Sequence, residues 1–139
     1  MEQYQAQIAE LRKKLALETA IISNIEGKTY TIKAIDSAMP VFKVGDAFEL
    51  KDTYCSAVCD KKQTVVYNNV GKMEEMLLHP VYVMMQLLSY VGTPIRQGDK
   101  IWGTLNFSST EAREQGFSKA EIEAVESLAE AISHSLSNQ

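Results

Sequence analysis

Residues 101–109 read Ile101-Trp102-Gly103-Thr104-Leu105-Asn106-Phe107-Ser108-Ser109, and the fold turns on this stretch. Side chains alternate across a strand, so Ile101, Gly103, Leu105 and Phe107 are expected on one face. Trp102, Thr104 and Asn106 fall on the other. A second β-rich arm starts upstream at Tyr90, and Gln97-Gly98-Asp99-Lys100 breaks the two arms, which makes a hairpin. Pro94 cannot donate to a ladder and belongs at an edge or a bulge.

A second hairpin spans Glu18 to Ile35 and is broken at Glu26-Gly27-Lys28. Its second arm alternates Tyr30, Ile32 and Ala34 against Thr29, Thr31 and Lys33, the pattern of a half-buried strand. Short strands near Phe48 and at Thr64–Tyr67 complete an antiparallel sheet. Between the hairpins, Asp52 is the expected N-cap of a short helix holding Thr53, Tyr54, Cys55, Ala57, Val58 and Cys59. Asn68-Asn69-Val70-Gly71 follows, and then a methionine-rich tract from Met73 to Leu88. Hairpins flanked by helices, with a helical excursion over one sheet face, make an α+β domain.

Both ends read as helices. Tyr4, Ile8, Leu11 and Leu15 step by four, three and four, the narrow seam of a coiled coil. Ile122, Val125, Ala129, Ile132 and Leu136 repeat the pattern over a helix expected at 118–137. Ser118 and Glu121 form a capping box, and Phe117 and Ile122 are spaced for a hydrophobic staple. Two readings stay open: each seam packs on its own sheet, or the two seams pair with a second copy. The expected division is an N-terminal dimerisation or linker helix over 1–16, then a domain over 17–139 that includes the last helix.

Composition narrows the function. The chain has 139 residues, 45% hydrophobic and 23% charged, with a formal net charge of -4. That is enough to bury a core without a metal or staple. A mildly acidic balance with no basic block argues against nucleic acid. Apolar runs fall short of the ~20 residues of a membrane span. Two cysteines make no disulfide framework, so a reduced, cytoplasmic setting is expected.

The order of motifs resembles a GAF domain, the small-molecule sensing module of bacterial kinases, cyclases and transcription regulators. The likeness rests on Phe48-Glu49-Leu50 with Asp52-Thr53-Tyr54-Cys55, the Thr64–Tyr67 strand and His79-Pro80-Val81-Tyr82. It continues through Tyr90-Val91-Gly92-Thr93-Pro94-Ile95, residues 101–109 and Phe117-Ser118. The resemblance implies a GAF/PAS-like antiparallel sheet of five or six strands, with terminal helices on one face and inserted helices and loops over the other. It also implies parallel dimerisation of the terminal helices, a pocket under the insertion, and an output domain such as a histidine kinase or diguanylate cyclase of a two-component system.

Departures from the family's known chemistries are informative. Asn106-Phe107-Ser108-Ser109 lacks the Lys of the cyclic-nucleotide pattern, and no Asp-Glu pair follows. Neither Cys55-Ser56 nor Cys59-Asp60 has the His that follows a bilin-attaching Cys. Methionine-sulfoxide-reducing relatives use more cysteines than two. No cofactor and no metal are expected, the purified protein should be colourless, and no catalytic set is present. Ligand-binding candidates are Tyr54, Cys55, Tyr67, His79 and Tyr82, each an apolar body with a polar tip or thiol in the roof tract. The function expected is a non-enzymatic sensor of an unidentified small molecule. The alternatives are a dimerisation spacer with a filled cavity, or a thiol-redox sensor or enzyme using Cys55 and Cys59.

Overall fold

A computed structural model describes residues 1–39 and 42–138. Pro40, Val41 and Gln139, the last of which closes the expected 17–139 unit, lie outside the described residues. The chain runs α1 (Gln5–Leu15), β1 (Thr19–Glu26), β2 (Thr29–Ser37), β3 (Ala47–Glu49), α2 (Cys55–Lys61) and β4 (Val65–Tyr67). It continues with α3 (Pro80–Met85), β5 (Ser89–Gln97), β6 (Lys100–Ser109) and α4 (Lys119–Ser137). Gly27 and Gly98 sit at φ of 60° and 62° in the two hairpin turns, a backbone region that glycine enters without strain. The strands form one six-stranded antiparallel sheet in the order β3-β2-β1-β6-β5-β4.

One face of this sheet is closed by the terminal helices. Ala20, Ile22, Val91, Ile95, Leu105 and Phe107 meet Ile8 and Leu15 of α1 and Val125, Ala129, Ile132 and Leu136 of α4. The seam residues therefore pack on the chain's own sheet: Ile8, Val125 and Ile132 are fully buried. The pairing of those seams with a second copy is corrected accordingly. An apolar sheet face needs cover, and at roughly 25 cal/mol per Å² of apolar surface the chain's own helices supply it at no cost in association entropy.

The helix ends are tied down by polar contacts. Arg12 Nε donates to Asp36 Oδ2 at 2.5 Å, fixing α1 to β2. Arg113 donates to the Leu15 carbonyl at 2.5 Å, pairs with Glu121, and lies over the Phe117 ring at 4.5 Å. It thus clamps the end of α1 to the start of α4. Ser118 and Glu121 form the expected capping box.

Two bulges change the expected faces. Ile22 pairs with Ala34 and Ser23 with Ile32, which leaves Lys33 as an extra residue. Tyr30 and Ile32 consequently face the roof while Ala34 faces the helices, correcting the single alternation expected for this strand. Trp102 is likewise extra, between the Ile95–Gly103 and Arg96–Ile101 pairs. It packs with the helix-side core rather than beside Thr104 and Asn106. An extra residue resets the period of two, and nothing in composition marks where. Pro94 lies in β5 beyond the stretch that β4 covers, beside the Ile95/Arg96 irregularity, as a residue without N–H requires.

Asp52 does not cap α2. It ends a one-turn 3-10 helix, Leu50–Asp52, after which Thr53 is extended and Tyr54 occupies the N-cap position without a side-chain bond. The buried Tyr54 ring, anchored through its hydroxyl to the Leu87 carbonyl at 2.8 Å, sets where α2 begins. Among the described residues no helix is long and apolar enough to cross a membrane.

Candidate functional site

The second sheet face is roofed by α2, by α3 and by the turns that join them to β4 and β5. Between sheet and roof lies a cavity of about 330 Å³. Its floor is built by alternation. Leu105 and Phe107 point to the helices, so Thr104, Asn106 and Ser108 point to the roof, beside Ile21 of β1 and Tyr30 and Ile32 of β2. Tyr54 and Cys55 supply one wall. Val81, Met84 and Met85 from α3, with Leu87, supply another, and Phe42 and Phe48 close the β3 end.

Beneath the cavity runs a buried polar network. The Ser23 and Thr104 hydroxyls are 2.7 Å apart, and Thr104 donates to Cys55 Sγ at 3.2 Å. Asn106 Nδ2 donates to Tyr30 Oη at 3.3 Å and to Cys55 Sγ at 3.3 Å. Tyr90 Oη lies 3.0 Å from the same sulfur. Among the described residues no buried side-chain nitrogen or oxygen lacks a partner. A network satisfied this way holds its members in fixed orientations.

Burial governs the ionisation of these groups. It pushes the Tyr30 and Tyr90 hydroxyls well above the usual phenol range, with the nearby Cys55 adding to both. Burial raises Tyr54 too, helped by Tyr67 and Tyr82. The Cys55 thiol is pushed up by burial against opposing hydrogen bonds, and Cys59 is pushed up to about 11 by burial, Cys55 and Asp60. Both thiols stay protonated at neutral pH, the opposite of the lowered pKa that activates a nucleophilic cysteine.

Over residues 2–136 the chain matches the family described as GAF domain. It belongs to the GAF domain family. The match includes α1 and most of α4, so both terminal helices fall within it. The solved structures it resembles include the phycocyanobilin-bound GAF domain of a cyanobacterial phytochrome, 17% identical, with a TM-score of 0.79 over 99% of this chain and 84% of that one. The GAF domain of an Acinetobacter phosphoenolpyruvate-protein phosphotransferase is 18% identical, with a TM-score of 0.75 over 96% and 79%. The type II free methionine-R-sulfoxide reductase from Thermoplasma acidophilum is 18% identical, with a TM-score of 0.76 over 99% and 93%. No curated protein matches significantly in sequence. At these identities the structural likeness shows the fold alone, and the proteins that share it carry more than one chemistry.

Within this GAF domain the expected site residues divide into two layers. Tyr54 and Cys55 line the cavity. Tyr67 and His79 pack against the Tyr54 ring, with centroids at 5.4 and 4.9 Å, and are not among the lining residues. His79 Nδ1 accepts from the Val81 N–H at 3.2 Å, so its ring caps α3, and burial lowers its pKa. Tyr82 packs in the roof-side core near Gly71, also off the lining. The floor residues Asn106, Ser108, Tyr30 and Tyr90 were not among the expected site residues. The signal was there in residues 104–108: polar side chains at alternate positions, on the face turned away from Leu105 and Phe107.

Proposed function

We propose that this GAF domain is a non-catalytic sensor whose cavity between sheet and roof takes a small molecule. The observation that carries this reading is the cavity of about 330 Å³ over a polar floor, on a fold whose other sheet face is closed by apolar side chains. Tyr54 and Cys55 are assigned as direct contacts, with Tyr67, His79 and Tyr82 holding Tyr54 and the roof from behind. Protonated thiols support a binding role for Cys55 over a redox one. Two free cysteines suit a reducing, cytoplasmic compartment.

The mechanism is a population shift. α3 spans six residues, and Val83 and Met84 on it are exposed, so it is the part of the roof most open to ordering by a ligand. A ligand that orders the roof also presses on Asn106 and Ser108. These alternate along β6 with Leu105 and Phe107, which bear on α1 and α4. The signal leaves through the terminal helices of a homodimer, paired by their outer faces because the inner ones are buried. Residues 1–16 pass the signal on as a helix seated on the domain's own sheet rather than as a free linker, and the output domain is a histidine kinase or diguanylate cyclase.

The test is a metabolite screen by thermal shift on wild type and on Val81→Trp, which puts an indole in place of a lining side chain. A ligand at a hundred times its dissociation constant stabilises the fold by about 2.7 kcal/mol. A compound that shifts wild type and not the variant supports the reading. A screen with no such compound leaves the fold as a spacer.

A further inference from the structure

We infer that the cavity selects uncharged, largely apolar molecules of one or two rings that carry a hydrogen-bond donor, and that it rejects anions. The inference rests on the ligand-binding reading above and adds the class of ligand. Three observations carry it.

The first is charge. Among the described residues lining the cavity there is no Lys, Arg or His, and the one charged side chain is the half-buried Asp52. An anion entering would give up its hydration, meet no cation and face a carboxylate. The second is the wall, in which Ile21, Ile32, Phe48, Val81 and Leu87 present hydrocarbon. A volume of about 330 Å³ lies at the small end of ligand sites, which run from roughly 300 to 1,000 Å³, so a ligand of one or two rings matches its size.

The third is the open valence of the floor. Thr19 and Ser37 satisfy each other at 2.8 Å, and Ser37 donates onward to the Met39 carbonyl. Asn106 Nδ2 lies 3.2–3.3 Å from Tyr30 Oη, Cys55 Sγ and Thr104 Oγ1, sharing its two hydrogens among them, so the amide nitrogen turns toward the network and the amide oxygen away from it. Its Oδ1 accepts from no described residue, and neither does the Ser108 hydroxyl on the same strand face; both residues line the cavity, so these atoms are open to it rather than buried in the network. What the floor offers a ligand is neutral: the Asn106 amide oxygen accepts, and the Ser108 hydroxyl beside it can accept or donate, so an O–H or N–H on an apolar ring finds a partner at either.

Three probes of one shape separate these features: 2-naphthol, 2-methylnaphthalene without the donor, and 2-naphthoate with the charge. Affinities are measured by thermal shift and calorimetry on wild type and on Asn106→Leu. We expect 2-naphthol to bind wild type, 2-methylnaphthalene to bind about tenfold more weakly, and 2-naphthoate to give no shift. In Asn106→Leu the gap between the two neutral probes should narrow. Should that variant fail to fold, the wild-type ranking alone decides. Binding of 2-naphthoate within tenfold of 2-naphthol overturns the inference, as does equal binding of the two neutral probes to wild type. If none of the three binds while a screened metabolite shifts wild type and not Val81→Trp, the ligand class is wrong and the sensor reading stands. If neither the probes nor the screen gives a shift, both fall.

Discussion

The two faces of one sheet are built on opposite rules. Beneath α1 and α4, β6 presents Leu105 and Phe107 and β1 presents Ala20 and Ile22, all of them buried in one apolar cluster. Beneath the roof the same strands present Thr104, Asn106, Ser108 and Ser23, with Tyr30, Tyr90 and Cys55 around them. The first face is packed against two anchored helices of 11 and 19 residues, the second covered by short helices of seven and six. A strand alternates its side chains, so a single sequence can make one face for stability and the other for binding. The helix face is closed by apolar packing throughout, whereas the roof face combines a second apolar cluster with a cavity and a buried polar network.

The contrast breaks most severely on the helix side. Ile132→Asp places a carboxylate where the side chain is fully buried against the sheet. It should destabilise by about 4 kcal/mol or more, a large share of a typical domain's stability. Circular dichroism should show loss of fold. A folded, monomeric variant would instead return the seam to an interface between copies.

The next effect lies on the roof side. A Cβ on Gly92 would sit 2.0 Å from Tyr90 Oη, so the Tyr90 ring lies over this glycine. Gly92→Ala must displace the ring from its contact with Cys55, at about 1–3 kcal/mol of overpacking. Near-ultraviolet circular dichroism should change while the helical signal stays. Asn106→Leu should cost a similar amount, about 1–3 kcal/mol by urea unfolding: Thr104 and Cys55 keep other hydrogen bonds, while the buried Tyr30 hydroxyl loses its Asn106 partner. A loss as large as that of Ile132→Asp would mean the floor is core after all.

Much of this contrast was legible in the sequence. The alternation of residues 103–108, the terminal helices, the capping box and the inserted roof follow from period, caps and turn residues. The bulges at Lys33 and Trp102 were not legible, because an extra residue leaves no compositional trace and shows only in the register between strands. Tyr54 and Cys55 were found as neighbours in a short helix over the sheet. Asn106 and Ser108 are not legible as site residues from alternation alone, because a polar strand face becomes a floor only once the roof is laid over it. His79 was placed at the helix boundary by Pro80, but its part as the α3 cap depends on the ring turning back to Val81.

The smallest effect concerns that cap. Burial holds His79 below its ordinary value of 6.5, while Asp52 and a backbone contact at Thr53 oppose the shift. As pH falls below about 6.5 the unfolded chain takes up the proton first, so stability should fall slightly through this window. Glu18, held below its ordinary value of 4.5 chiefly by the Thr110 N–H, adds a second loss at lower pH. His79→Asn keeps a side-chain acceptor for Val81 N–H and should flatten only the upper window in a series of melting curves.

Isoleucine methyl spectra under xenon pressure test the difference between the faces most directly. Xenon enters apolar cavities and leaves close-packed interiors alone. Ile21 and Ile32 line the cavity, whereas Ile22 and Ile132 belong to the helix-side core. The account predicts shifts at Ile21 and Ile32 and none at Ile22 and Ile132. Silence at all four, or equal shifts on both faces, would contradict it.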